Sequence, residues 1–381
     1  MLLNRLRLRS KDPAVRRLAI ERLAASGSRR VFKRLVLCFA DEDPEVRHTA
    51  ARAVGTGRND QVLQFLLTSL QDQRSEVREA TAIGLGYAGN SSACKPLFKL
   101  LSDPQPRVRV AAAAALRKLG WKPANHEEQA VLNIATGNTL SAALAGSAAV
   151  PPLVRELNHV TAFVRRTVAE ALEHVDDPRK IQPLLGAVDD ADPTVRVSAI
   201  HALSKAINEP SVVLLLKRLV RERDPRIRLA AAQVLAKHKD PQMAGVFIGL
   251  LKDPSFEVRL TSVQFLGKLQ DPQHVPALLA MLSDSDSDVR HVAAQALSDI
   301  GSPAAIEGLV LALSDEEQAV RKAAETALEK TDSNWMRSEA AQRASKKLEA
   351  LLQTRPSWVR AATGHLLAKL QDTEPSVRVA A

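Results

Sequence analysis

The dipeptide Val-Arg returns along this chain at an interval close to 31 residues, and that period restricts the fold more than any other feature. Its arginines are Arg16, Arg47, Arg78, Arg109, Arg165, Arg196, Arg259, Arg290, Arg321, Arg360 and Arg378, with Ile227-Arg228 as a variant. Six residues before most of them stands an aspartate, as in Asp41/Arg47, Asp72/Arg78, Asp103/Arg109, Asp190/Arg196, Asp253/Arg259, Asp284/Arg290, Asp315/Arg321 and Asp372/Arg378. A unit this short cannot bury its apolar face alone and must stack on its neighbours, which makes a solenoid. Length alone, at 381 residues, would suggest two or three globular domains. The period replaces that expectation with about a dozen stacked units.

Residues 29–55 show what one unit contains. Val31, Phe32, Leu35, Val36 and Phe39 recur at helical spacing and form one apolar stripe. Asp41-Glu42-Asp43-Pro44 then closes that helix and opens another, because Asp supplies a capping oxygen and Pro fits the first helical position. The second helix is expected from Glu45, with Val46, Ala50, Ala53 and Val54 on one face. An arginine in its first turn lies near the aspartate that leaves the preceding helix. The expectation is that each arginine bridges carboxylates of its own and the adjoining unit. Such pairs fix register better than they add stability, so these arginines are spent internally.

The pattern Asp-x-x-x-x-Val-Arg-x-x-Ala-x-x-Ala-Leu resembles HEAT repeats, most closely the short, regular variety named for phycobilisome lyases (PBS-lyase HEAT-like repeats). The resemblance implies paired antiparallel helices, with the Val-Arg helix of each pair lining a concave side. Residues and resemblance together predict an all-α chain, a right-handed α-solenoid of about twelve HEAT-like hairpins. The resemblance narrows function little, since the family includes bilin lyase subunits, scaffolds, regulators and a few enzymes.

Two breaks interrupt the period. Between Arg109 and Arg165, Trp121-Lys122-Pro123 and Glu127-Glu128 precede the Ala149–Leu153 segment, matching a variant unit with an extra short helix. Trp121 is expected to cap the apolar seam there. Between Arg321 and Arg360, Trp335 and Trp358 are expected to pack on each other or on a neighbouring helix. The chain thus divides into regular repeats 1–120, an irregular unit 121–160, regular repeats 161–330 and irregular repeats 331–381. QDTEPSVRVAA begins a helix and stops, so a truncated or covered C-terminal end is expected.

Residue chemistry argues against catalysis. The nine histidines lack metal-ligand spacing, and the single His126-Glu127 pair is fewer than a di-iron site of the deoxyhypusine hydroxylase type needs. No phosphate-binding glycine loop or nucleophile elbow occurs. The tryptophans lie in irregular units, away from where a HEAT-like glycosylase would stack a base. No cofactor is expected. Cys38 and Cys94 sit in apolar stretches, pointing to small core residues in a reducing, cytoplasmic setting. The basic N-terminus lacks a signal-peptide core, although an Arg-rich presequence would read similarly.

Two candidate surfaces remain. Positions two and six after each valine face away from the packed stripe. They include Val197, His201, Leu229, Gln233, Leu260, Gln264, His291 and Gln295, apolar and amide-rich where a nucleic-acid groove would show Lys or Arg. That suits a protein or peptide partner. Separately, residues 1–34 hold eleven Lys/Arg against Asp12 and Glu21, nearly the whole net charge of +10. Arg5, Arg7, Arg9, Lys11, Arg17, Arg29, Arg30, Lys33 and Arg34 could meet nucleic acid, an anionic membrane or an acidic protein. The leading expectation is a protein-interaction scaffold; the alternatives are a bilin lyase-like chromophore-handling subunit and a nucleic-acid binder using the basic end.

Overall fold

Within each compact unit the Val-Arg helices form one layer and shorter helices lie against them. The computed structural model describes residues 6–26, 29–57 and 60–371. These contain 23 α-helices in sequential hairpins, the packing of an α-solenoid. The chain separates into two compact units, residues 1–202 and 203–381. In the first unit, helices Pro13–Ala24, Pro44–Gly55, Ser75–Ala88 and Pro106–Lys118 each pack on the next. Helices Ala162–Glu173 and Pro193–Ala202 continue the pattern after the irregular unit. In the second unit the corresponding layer consists of Pro225–His238, Phe256–Leu269, Ser287–Ile300, Gln318–Thr331 and Ser357–Gln371.

The predicted cap forms at Asp43, and the helix it opens starts one residue before the expected Glu45. Asp43 accepts the Val46 N–H at 2.9 Å and Pro44 takes the first helical position, so the helix runs Pro44–Gly55. Small residues set the spacing between successive Val-Arg helices. A Cβ on Gly55 would sit 2.2 Å from the Gly84 carbonyl oxygen, so only glycine allows this approach. Several of the shorter helices begin with one 3-10 turn, capped by Asp177, Asp240 or Asp271 ahead of a proline.

The arginines build a ladder that differs in one respect from the expectation. Six of them, Arg16, Arg78, Arg165, Arg228, Arg259 and Arg290, hold the aspartate of the following repeat, 25 residues on, while gripping main-chain carbonyls of their own repeat. Arg259 donates from Nε and Nη2 to the Asp284 carboxylate at 2.7 Å each, and from Nη1 to the Asp253 and Pro254 carbonyls. The same fork joins Arg78 to Asp103, Arg165 to Asp190, Arg228 to Asp253 and Arg290 to Asp315, at 2.7–3.0 Å. Arg16 reaches Asp41 through a single 2.7 Å bond. The repeat's own aspartate side chain does not meet its arginine. It accepts the N–H two residues further on, as Asp284 does from Asp286 at 2.9 Å. The Arg165 guanidinium holds the Asp190 carboxyl below the usual carboxylate range, outweighing the opposing effect of burial.

Where the period breaks, the ladder changes chemistry. His159 stands where other repeats carry aspartate. Its Nδ1 accepts the Thr161 N–H at 3.0 Å and its Nε2 lies 3.3 Å from Arg109 Nη1. Arg109 Nε is left buried without a partner. Trp121 is half-buried against the first unit's core, with its ring 5.5 Å from Phe98. Trp335 is buried, whereas Trp358 is half-exposed and carries the Arg321 guanidinium over its ring at 5.1 Å. The second break thus substitutes a cation–π contact for a carboxylate. Residues 372–381, with the Asp372/Arg378 pair and the expected C-terminal break, lie outside the described residues.

Candidate functional site

The ladder turns one edge of each Val-Arg helix inward and fixes what the helix presents elsewhere. In the second unit, the position two after the valine gives Leu229, Leu260 and His291 on successive helices. The position six after gives Gln233, Gln264 and Gln295. The first three are half-buried and the three glutamines are exposed. Buried neighbours explain the difference, because Ile227, Ala230, Ala231 and Val234 take the core side of their helix. The result is a recurring pair, a partly covered apolar side chain beside an open amide. Val197 and His201 occupy equivalent positions in the first unit, and both are half-buried.

Not every polar group in this set is free to meet a partner. Gln295 donates from Nε2 to His291 Nε2 at 2.9 Å, and His291 Nδ1 lies 3.1 Å from the Ala319 carbonyl on the next helix. Accepting at Nε2 leaves the proton on Nδ1, which donates to that carbonyl. His291 is therefore tied down as a spacer between repeats. Gln233 and Gln264 are the amides left to face outward.

The basic set is arranged differently. Arg9, Lys11, Arg30, Lys33 and Arg34 are exposed, and Arg7 and Arg17 half-buried. Arg5 and the side chain of Arg29 lie outside the described residues. Arg22, also within this basic stretch, is exposed. Glu21 is drawn away by Arg52 at 3.1 Å, so the one nearby glutamate does not neutralise it.

Two features of the second unit have no clear counterpart in the sequence pattern. Lys217, Arg218, Arg221 and Arg223 gather with exposed Leu214 around a shallow depression, legible only as a local run of charge. A cleft of about 770 Å³ opens between the shorter helices, lined by Leu279, Leu282, Gly308, Leu311, Leu351 and Arg355. It follows the second break, where helix Glu339–Thr354 is longer than its counterparts. Lys347 and Arg355 hold that helix to Glu307 and Glu316.

Reactive chemistry has little to work with. Burial pushes the Cys38 thiol up to about 11, which keeps it protonated near neutrality. Among the described residues, no three His, Cys, Asp or Glu side chains are placed to hold a metal ion. No described helix is long and apolar enough to cross a membrane.

Comparison with known proteins follows the repeat. HEAT repeats match in overlapping stretches, residues 1–82, 65–132, 124–204, 181–253, 212–298, 243–329 and 275–368. No curated protein matches the chain. Among solved structures, an engineered protein is 23% identical with a TM-score of 0.45, covering 85% of this chain and 97% of its own. The Escherichia coli protein YibA is 19% identical with a TM-score of 0.42, covering 70% of this chain and 91% of its own. Matches that run without interruption from residue 1 to 368 leave one assignment: the chain belongs to the HEAT-repeat family.

Proposed function

We propose that this chain is a non-catalytic interaction scaffold that receives a protein or peptide on its layer of Val-Arg helices. One observation carries the reading: half-buried leucines beside exposed glutamines recur on successive helices of the second unit, at Leu229/Gln233 and Leu260/Gln264. Apolar side chains give a partner area to cover, and adjacent amides give it adaptable hydrogen bonds. The contacting residues proposed are Leu229, Gln233, Leu260 and Gln264, with His291 and Gln295 at their margin. Val197 and His201 are proposed as the first unit's equivalent surface. No continuous row of cations crosses these positions, which argues against a nucleic-acid backbone there. The strict interval supports the finer assignment to the PBS-lyase type of repeat.

The test is affinity capture with the wild-type chain and with the Leu229→Glu/Leu260→Glu variant. Both substitutions fall on half-buried positions, so folding is checked alongside by circular dichroism. Proteins retained by the wild type and lost by a folded variant support the scaffold. An identical retained set removes these helices as the binding layer.

A further inference from the structure

We infer that the basic surface of the first unit docks on the headgroup layer of an anionic lipid bilayer. This goes beyond the scaffold reading and does not rest on it. Arg9, Lys11, Arg22, Arg30, Lys33 and Arg34 are all exposed. Among the described residues none of the six has a carboxylate within ion-pair distance, since Glu21 is held by Arg52. Arg30, Lys33, Arg34 and Leu37 recur at helical spacing along Arg29–Leu35 and the 3-10 turn that continues it, so these three cations and this leucine share one face.

What identifies the partner is the apolar residues among those charges. Leu37 is 76% exposed and follows Lys33 and Arg34 by one helical turn; Leu6 is 65% exposed and Leu18 44%. Core packing does not use these leucines. A bilayer interface satisfies both groups, with lipid phosphates and carboxylates meeting the cations and the acyl boundary accepting the leucines. A nucleic-acid backbone would set exposed leucines against phosphate. Bases would also lack a stacking partner, because Phe32 is the one aromatic residue in residues 6–37 and it is 4% exposed.

The experiment is co-sedimentation of the full chain with vesicles of phosphatidylcholine alone and of equimolar phosphatidylcholine and phosphatidylserine. Binding is expected to the second vesicle only, weakening with added salt. Arg30→Gln/Lys33→Gln/Arg34→Gln should lower partitioning roughly 100-fold, from about fivefold per cation. Leu37→Ser should lower it several-fold at unchanged charge. All four positions are exposed, so unfolding midpoints should match the wild type. Equal binding to both vesicles would overturn the inference. So would a Leu37→Ser variant that binds like wild type, or an oligonucleotide bound more tightly than the vesicles; the last result would assign the surface to nucleic acid.

Discussion

Replacing Asp284 by Asn removes one rung of the ladder with almost no change in shape. The carboxylate accepts two bonds from Arg259 at 2.7 Å and the Asp286 N–H at 2.9 Å. Both side chains are nearly sealed from water, at 12% exposure for Arg259 and 6% for Asp284. Asparagine keeps an oxygen for the Asp286 N–H but loses the charge and turns an amide donor toward a guanidinium donor. Breaking a buried pair costs about 3–5 kcal/mol. The Nη1 bonds to Asp253 and Pro254 survive, so we place the cost near the low end, about 3 kcal/mol. Urea unfolding followed by far-ultraviolet circular dichroism reads this as an earlier transition of the repeats around Asp284. The paired variant Arg259→Met/Asp284→Leu gives up the Nη1 and Asp286 N–H bonds but strands neither charge, so it should cost less than the sum of its two single substitutions. A single substitution costing less than about 0.5 kcal/mol, within the range of ordinary surface changes, would refute the rung. Simple additivity of Arg259→Met and Asp284→Leu would refute it equally.

Other consequences follow from the same geometry. Arg109 faces His159 and keeps a buried, unpartnered Nε, so Arg109→Met should cost less than half of Arg259→Met in the same urea assay. The Asp190 carboxyl is held low by Arg165. Its contribution is full above the unfolded carboxyl value of about 3.9 and is lost as pH falls through the lower folded value. Circular dichroism against pH should show acid unfolding starting below about pH 4, with Asp190→Asn reducing that dependence; loss already between pH 7 and 5 would contradict it. Gly55→Leu should lower the unfolding free energy by about 3 kcal/mol, because its Cβ would strike the Gly84 backbone. Acrylamide should quench Trp358 and spare Trp335, which is 3% exposed.

The period made the architecture legible because each repeat carries the same local instructions: an Asp cap, a Pro at the first turn, and an arginine six residues past an aspartate. Pattern alone did not show the direction of the arginine's grip. The side chain passes its own repeat's carboxylate and takes the next one; its own aspartate accepts the turn N–H and the preceding repeat's arginine, as Asp284 does from Asp286 and Arg259. His159 was equally hidden, since a histidine shows its role as a stand-in for aspartate only when Arg109 lies opposite it, 50 residues away in the chain. Exposure along the stripe was half legible. Helical phase separates Gln264 from the core, but the degree to which Leu260 is covered depends on how closely neighbouring helices approach. Small residues such as Gly55 and Gly84 set that approach within the first unit. Arg22 is counted in the basic N-terminal stretch, and its exposure is what places it with the other surface cations.

Photocrosslinking at single positions tests the scaffold reading most directly. A benzoylphenylalanine at Gln264 lies on the Val-Arg layer, and one at exposed Lys252 lies beyond the end of a shorter helix in the same unit. The account predicts a discrete adduct with one protein from position 264, absent from position 252 and abolished by Leu229→Glu. No adduct at 264, or the same adducts from both positions, would contradict it.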